Sequence, residues 1–150
     1  MSATDVKVIL FPVEIAKVTE EIVPFVAYRA EKFGALVHML HVVPSTQHLS
    51  DLYQISKDMI ISDMEVLNLA RKRLAEFRNQ FLPQARESVV TGEPADKILE
   101  YIDKNAVDMV VMGTHGRQGI TEVVLGSVAR RIVRRSPVPV LTVNPYLEKA

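Results

Sequence analysis

The sequence predicts an α/β fold, an open, doubly wound parallel sheet of five strands with helices on both faces. Three observations carry that expectation. Short runs rich in β-branched residues alternate with longer helical patterns. The runs are nearly continuously apolar, as strands buried on both faces are. The helical stretches joining them are long enough for the crossover that a parallel pairing needs.

The first run is VKVILFPV, Val6 to Val13, followed by a helical stretch that ends near Lys32, where Gly34 supplies a stop. Pro24 removes an intrahelical hydrogen bond unless it lies in the first turn, so this helix is expected to start late or kink. ALVHMLHVV, Ala35 to Val43, is the second strand and ends at Pro44, and Ser45 to Ser50 reads as a loop. A long helix is predicted from around Tyr53 to about Phe81, with Ile60, Met64, Leu67, Leu74 and Phe77 as its apolar stripe. Ala85 to Val90 is the third strand. Thr91-Gly92-Glu93-Pro94 turns the chain, with Pro94 suited to the first helical position and Ile98, Leu99 and Ile102 forming one face of the next helix. Asp108 to Met112 is the fourth strand, Gly126 to Arg135 a helix and Val138 to Val143 the fifth strand. No internal repeat or linker divides residues 1–150, which read as a single domain.

Composition narrows the function. Apolar residues are 48% of the chain, enough for a sizeable core, and eighteen basic residues balance eighteen acidic ones. No global field therefore draws the chain to nucleic acid or an anionic membrane. With no cysteine, disulfides, thiolate catalysis and sulfur-ligated metal are excluded. The N-terminal apolar run is too short for a signal peptide or membrane span, so a cytoplasmic location is expected.

Chemistry concentrates in VVMGTHGRQGITEVVLGSVARRIVRR, where Gly113, Gly116 and Gly126-Ser127 lie between a strand and a helix. Free N–H groups at a helix start face an anion and the macrodipole favours it. A glycine-rich loop leaving the C-terminal end of a strand also stands where open α/β sheets bind ligands. The structural alternative is that Gly113 and Gly116 merely turn the chain while Gly126 permits close packing. The segment is neither a P-loop nor a GxGxxG fingerprint, so spacing supports an anion without naming a nucleotide. His115 and Arg117, inside the loop, can reach phosphate.

Glu14, after the first strand, is either a solvated acid or a carboxylate for a ribose hydroxyl. It can alternatively help hold magnesium through water. His38 and His41, three apart on a strand, face opposite ways and cannot form a ligand pair. His38 reads as structural, and His41 as a satisfied histidine or the border of a pocket. Arg130, Arg131, Arg134 and Arg135 read as a polar helix flank opposite Val128, Ile132 and Val133. Without interleaved aromatics or net positive charge, they do not indicate nucleic-acid binding.

On these residues the chain resembles the universal stress protein family along essentially its whole length. The segment from Asp108 to Gly119, then Gly126-Ser127 and Pro137-Val138-Pro139-Val140-Leu141, carries the likeness. The family's ATP-binding pattern is Gly, two residues, Gly, nine residues, Gly, then Ser or Thr, and Gly113, Gly116, Gly126 and Ser127 match it in full. The resemblance implies strand order 3-2-1-4-5 and a homodimer joined through the last strand, Val138 to Val143. It also implies ATP across the C-terminal ends of the first and fourth strands, with Mg²⁺ offsetting phosphate charge. Pro12-Val13-Glu14 would meet the ribose side and the backbone around His41 and Val42 the adenine. Met112, Gly113, His115, Gly116 and Arg117 would then line the phosphate side with Gly126, Ser127 and Val128. Two positions depart from the family: Glu14 stands for an aspartate and Ala16 for a small polar residue. Both weaken the ribose side and leave the phosphate side intact.

No base, phosphoryl acceptor or arginine finger is identifiable, so the expected function is ATP binding in a stress response with slow or no turnover, and no enzyme activity. The alternatives are a nucleotide-independent homodimeric interaction module with a vestigial pocket, and an ATP hydrolase using Glu14 or His115.

Overall fold

A computed structural model describes residues 5–14, 17–44, 63–114 and 125–145. Its elements run β1 (Val8–Pro12), α1 (Lys17–Glu20), α2 (Val23–Phe33), β2 (Leu36–Val43), α3 (Asp63–Phe81) and β3 (Arg86–Thr91). Then follow α4 (Pro94–Lys104), β4 (Met109–Gly113), α5 (Ser127–Arg135) and β5 (Val140–Val143). The strands form one parallel sheet of order β3-β2-β1-β4-β5, as expected. From β1 the chain winds outward through β2 to β3, then crosses back to lay β4 on the other side of β1.

Side-chain alternation along the strands divides the core into two layers. On one face Phe11, Met39 and Val111 pack with Val26 of α2 and with Leu74 and Phe77 of α3. On the other, Leu10, Leu40 and Val110 meet Ile98 and Ile102 of α4 and Ile132 of α5. Ile9, Leu10 and Phe11 are each 0% exposed, so central β1 reads as an unbroken apolar run because both its faces are covered.

Local chemistry sets the element ends. Pro24 falls in the first turn of α2, where its missing N–H leaves no intrahelical bond unmade. The preceding turn, α1, is separate, so the helix does start late. Gly34 closes α2 at φ 63°, its N–H reaching the Ala30 and Glu31 carbonyls, a left-handed position that glycine occupies without Cβ strain. Pro139 cannot donate to a ladder. Its carbonyl accepts the Val110 N–H at 2.9 Å and regular β5 begins one residue later, two residues inside the expected start.

Two apolar stripes differ from expectation. The buried face of α3 is Val66, Ala70, Leu74 and Phe77. Met64, about 200° around the helix from Val66 at 3.6 residues per turn, is 60% exposed. In α5 the buried residues are Ala129 and Ile132, whereas Val133 is 45% exposed. The loop 45–50, with Tyr53 and Ile60, lies outside the described residues.

At the N-terminal ends of β1 and β4, Asp108 Oδ2 accepts the Lys7 and Val8 N–H groups, each at 2.9 Å. The Asp108 N–H donates to the Val8 carbonyl, also at 2.9 Å. This clamp holds the register Ile9↔Met109 and Leu10↔Val110, and so aligns the opposite, C-terminal ends of the two strands. Among the described residues no helix is long and apolar enough to cross a bilayer.

Candidate functional site

Between β1 and β4 the strand order reverses, and a crevice at such a switch point is where open α/β sheets bind ligands. Continuing the β1–β4 register brings Val13 level with Gly113. The switch point is therefore bounded by Pro12-Val13-Glu14 on one side and Met112-Gly113-Thr114 on the other. His115, Gly116 and Arg117 lie outside the described residues.

The start of α5 is fastened to the end of β4. Thr114 donates its N–H to the Val143 carbonyl at 2.8 Å and accepts the Gly126 N–H at 2.7 Å. Gly126 is the N-cap at φ −60° and ψ 161°, a conformation open to any residue. The backbone therefore does not require glycine here; what glycine supplies is the absence of a side chain. The Gly126 N–H is spent on Thr114, and helical bonding begins when Arg130 donates to the Gly126 carbonyl at 2.9 Å. The donors that a first helical turn leaves without an intrahelical carbonyl are then those of Ser127, Val128 and Ala129. Gly126 has no side chain to cap them and the first turn carries no acid, so the local charge suits an anion. Ser127 is exposed and Val128 half-buried.

Arg131 fixes the direction of α5. Its guanidinium pairs with Glu93 at 2.9 Å and with Asp96 at 2.7 Å, both at the start of α4. Glu93 is itself the α4 N-cap and accepts the Ala95 and Asp96 N–H groups at 3.3 Å and 2.8 Å. Desolvation pushes its pKa up, but the Asp96 and Ala95 amides and then Arg131 outweigh this and hold it below the usual value.

On the β1 side, Val13 donates its N–H to the Leu40 carbonyl at 2.8 Å. Its carbonyl lies 2.7 Å from His41 Nδ1. A carbonyl only accepts, so this ring nitrogen carries the proton. His41 is 3% exposed, and its side chain is a brace for β1 rather than a pocket wall. Thr19, also 3% exposed, donates its hydroxyl to the Glu14 carbonyl, while Glu14 itself is exposed. Because backbone groups alternate sides along a strand, those of Val42 point the same way as the Leu40 carbonyl, toward the space β1 leaves after Val13. His41's own backbone points toward β3.

His38 lies on the other face, where Nδ1 is 3.1 Å from the Tyr101 hydroxyl. Burial, and secondarily the positive charge of Arg86, lowers its pKa. The two histidines thus face apart, as their spacing implies. Among the described residues no group of three His, Cys, Asp or Glu side chains could hold a metal ion. Magnesium here would be carried chiefly by phosphate oxygens and water, which is its habit at nucleotide sites.

Sequence reading did not single out Thr19, Arg131 with Glu93 and Asp96, or Asp108. Each acts through a contact distant in sequence or through a backbone group, and no local pattern marks such a partner.

The sequence model described as the universal stress protein family matches residues 6–144. Universal stress protein MJ0531 of Methanocaldococcus jannaschii is 28% identical over 139 residues, 92% of this chain and 82% of the relative. Among solved structures, that of MJ0577, from the same organism, superposes with a TM-score of 0.73 at 21% identity, covering 97% of this chain and 99% of the other. The universal stress protein of Archaeoglobus fulgidus in complex with dAMP superposes with a TM-score of 0.60 at 20% identity, covering 91% and 96%.

Proposed function

The chain belongs to the universal stress protein family, and from that premise we propose that it is an adenine-nucleotide-binding protein of the stress response. ATP is the ligand, Mg²⁺ accompanies its phosphates, and turnover is slow or absent. The chain acts as one domain, residues 1–150, in the cytoplasm. One observation carries the reading: a helix start with a side-chain-free N-cap is tied to the end of β4, the strand that pairs with β1. The dAMP complex of the Archaeoglobus relative supports a nucleotide of this class on this fold.

In this reading the Ser127 and Val128 amides and the Ser127 hydroxyl donate to phosphate, while Gly126 lets the phosphate approach the backbone. Gly113 lets the chain leave β4 beneath the ligand beside Met112, and Gly116 with His115 and Arg117 completes the phosphate side. The backbone of Val42, at the end of β2 with His41, meets adenine. Glu14, beside Pro12 and Val13, accepts a ribose hydroxyl. This reading assigns Glu14 to ribose and His115 to phosphate and no residue to activating water or receiving a phosphoryl group, which favours binding over hydrolysis. Titration calorimetry with ATP and Mg²⁺ is expected to give saturable heat. No heat, together with no displacement of a fluorescent adenine nucleotide up to millimolar ATP, rejects the reading.

The same proposal includes a homodimer through the last strand, Val138 to Val143. β5 is an edge strand, and an apolar edge pairs readily with a second copy. Pro139 does not block this. Its carbonyl faces β4, so its missing N–H is on the inner side, while the Val140 and Thr142 groups face outward. Val140→Pro therefore removes an outward donor without touching the β4 ladder. Sedimentation equilibrium is expected to show a dimer for the wild type and a monomer for Val140→Pro with unchanged far-UV dichroism. A wild-type monomer at micromolar concentration sinks the edge-paired dimer.

A further inference from the structure

We infer that His41 and Thr19 are positioning residues for the nucleotide site: His41 ends the β1–β2 ladder one step early, and Thr19 then holds the Glu14 backbone. The inference rests on the nucleotide reading and deepens it.

The ladder between β1 and β2 runs from Val8↔Leu36 to Pro12↔Leu40, and its last donor is Val13 N–H to Leu40 O. In a regular parallel ladder the next bond would run from the Val42 N–H to the Val13 carbonyl. At that step the His41 imidazole binds the Val13 carbonyl instead, at 2.7 Å. Two consequences follow. The Val42 backbone is left facing the switch point rather than being consumed by β1, and the backbone after Val13 is released from β2. The Glu14 carbonyl is then held from the α1 side by the Thr19 hydroxyl.

Both side chains are buried at 3% exposure, where a polar group is costly unless hydrogen-bonded. Val13 and Val43, their neighbours in the core, show that apolar packing is otherwise the rule at this end of the sheet. Phosphate lies on the far side of the switch point, at α5, and makes no use of either brace. His41 and Thr19 therefore govern the adenosine half of the ligand and not the phosphate half.

The test uses the full chain and two probes, ATP and inorganic tripolyphosphate, each with Mg²⁺, followed by titration calorimetry. His41→Leu is expected to weaken ATP about ten-fold, the upper end of the scale for one ordinary hydrogen bond, with tripolyphosphate affinity unchanged. His41→Asn, which keeps a donor close to the Nδ1 position, is expected to restore most of the ATP affinity. Thr19→Val is expected to weaken ATP in the wild-type background and to have no further effect once Glu14 is alanine, the non-additivity expected of residues acting through one another. Without any nucleotide, amide exchange at Val42 is expected to slow in His41→Leu as that N–H takes the vacated carbonyl.

Equal ATP affinity in wild type and His41→Leu overturns the positioning role, as does a parallel loss for both probes, which is the mark of general unfolding. Wild-type protein that binds no ATP overturns the nucleotide reading and the positioning role with it. The Val42 exchange rate remains a separate measure of how the ladder ends: no change in His41→Leu overturns that part by itself.

Discussion

Gly126→Val is expected to bind ATP about 100-fold more weakly than the wild type while keeping the fold. The loss corresponds to two charge-assisted hydrogen bonds at the lower end of their range, about 1.5 kcal/mol each, with about 1.4 kcal/mol per factor of ten. A valine at the N-cap interposes two methyl groups between the anion and the amides of Ser127 and Val128. The fold survives because φ −60° and ψ 161° are open to valine. Its N–H can still donate to Thr114 and its carbonyl still accepts from Arg130. The cost in stability is that of a poor N-cap residue, on the order of 1 kcal/mol. Calorimetric titration beside a thermal melt separates the two effects. A variant that melts near the wild type and binds ATP equally well would show that the start of α5 does not hold the phosphates.

The strand order was legible because the motif spacing identifies the family, and the parallel sheet because the strand runs are apolar on both sides. Val8 to Pro12 and Met109 to Gly113 announce themselves as buried strands, and Pro24, Gly34 and Pro94 punctuate helices by mechanisms that need no tertiary context. Helix faces were less legible. Met64 and Val133 are apolar and fit a loose helical period, yet both face solvent, because the stripe that packs is set by the neighbouring sheet.

At the candidate site, Gly126, Ser127 and Glu14 are proposed from residue type and position. The part played by His41 could not be read that way. Its sequence context allows a pocket wall or a satisfied core histidine, and only the approach of the Val13 carbonyl, 28 residues away in the chain, decides between them. The pairing of Arg131 with Glu93 and Asp96 is similar. The sequence shows an arginine flank on α5 but not the acidic start of another helix beside it.

Phe11→Ala is expected to destabilise the fold by about 3–5 kcal/mol, the range for truncating a buried aromatic ring. Phe11 is 0% exposed, on the central strand and within the layer that joins the sheet to α2 and α3. Strands lie on both sides of β1 and helices cover both faces, so little can collapse into the space left behind. Against a typical total of about 5–15 kcal/mol, this one change removes a large share of the stability. Urea unfolding should show a lower midpoint with an unchanged slope. The effect on nucleotide binding is indirect, because Phe11 points into the core while Val13 and Glu14, two and three residues on, bound the site. Saturating ATP should therefore return part of the lost stability, about 2.7 kcal/mol at one hundred times the dissociation constant. At the same ATP concentration a Gly126→Val, Phe11→Ala double variant, binding about 100-fold more weakly, should regain only about 0.4 kcal/mol. Equal recovery in both would mean that ATP stabilises the chain from somewhere other than the start of α5.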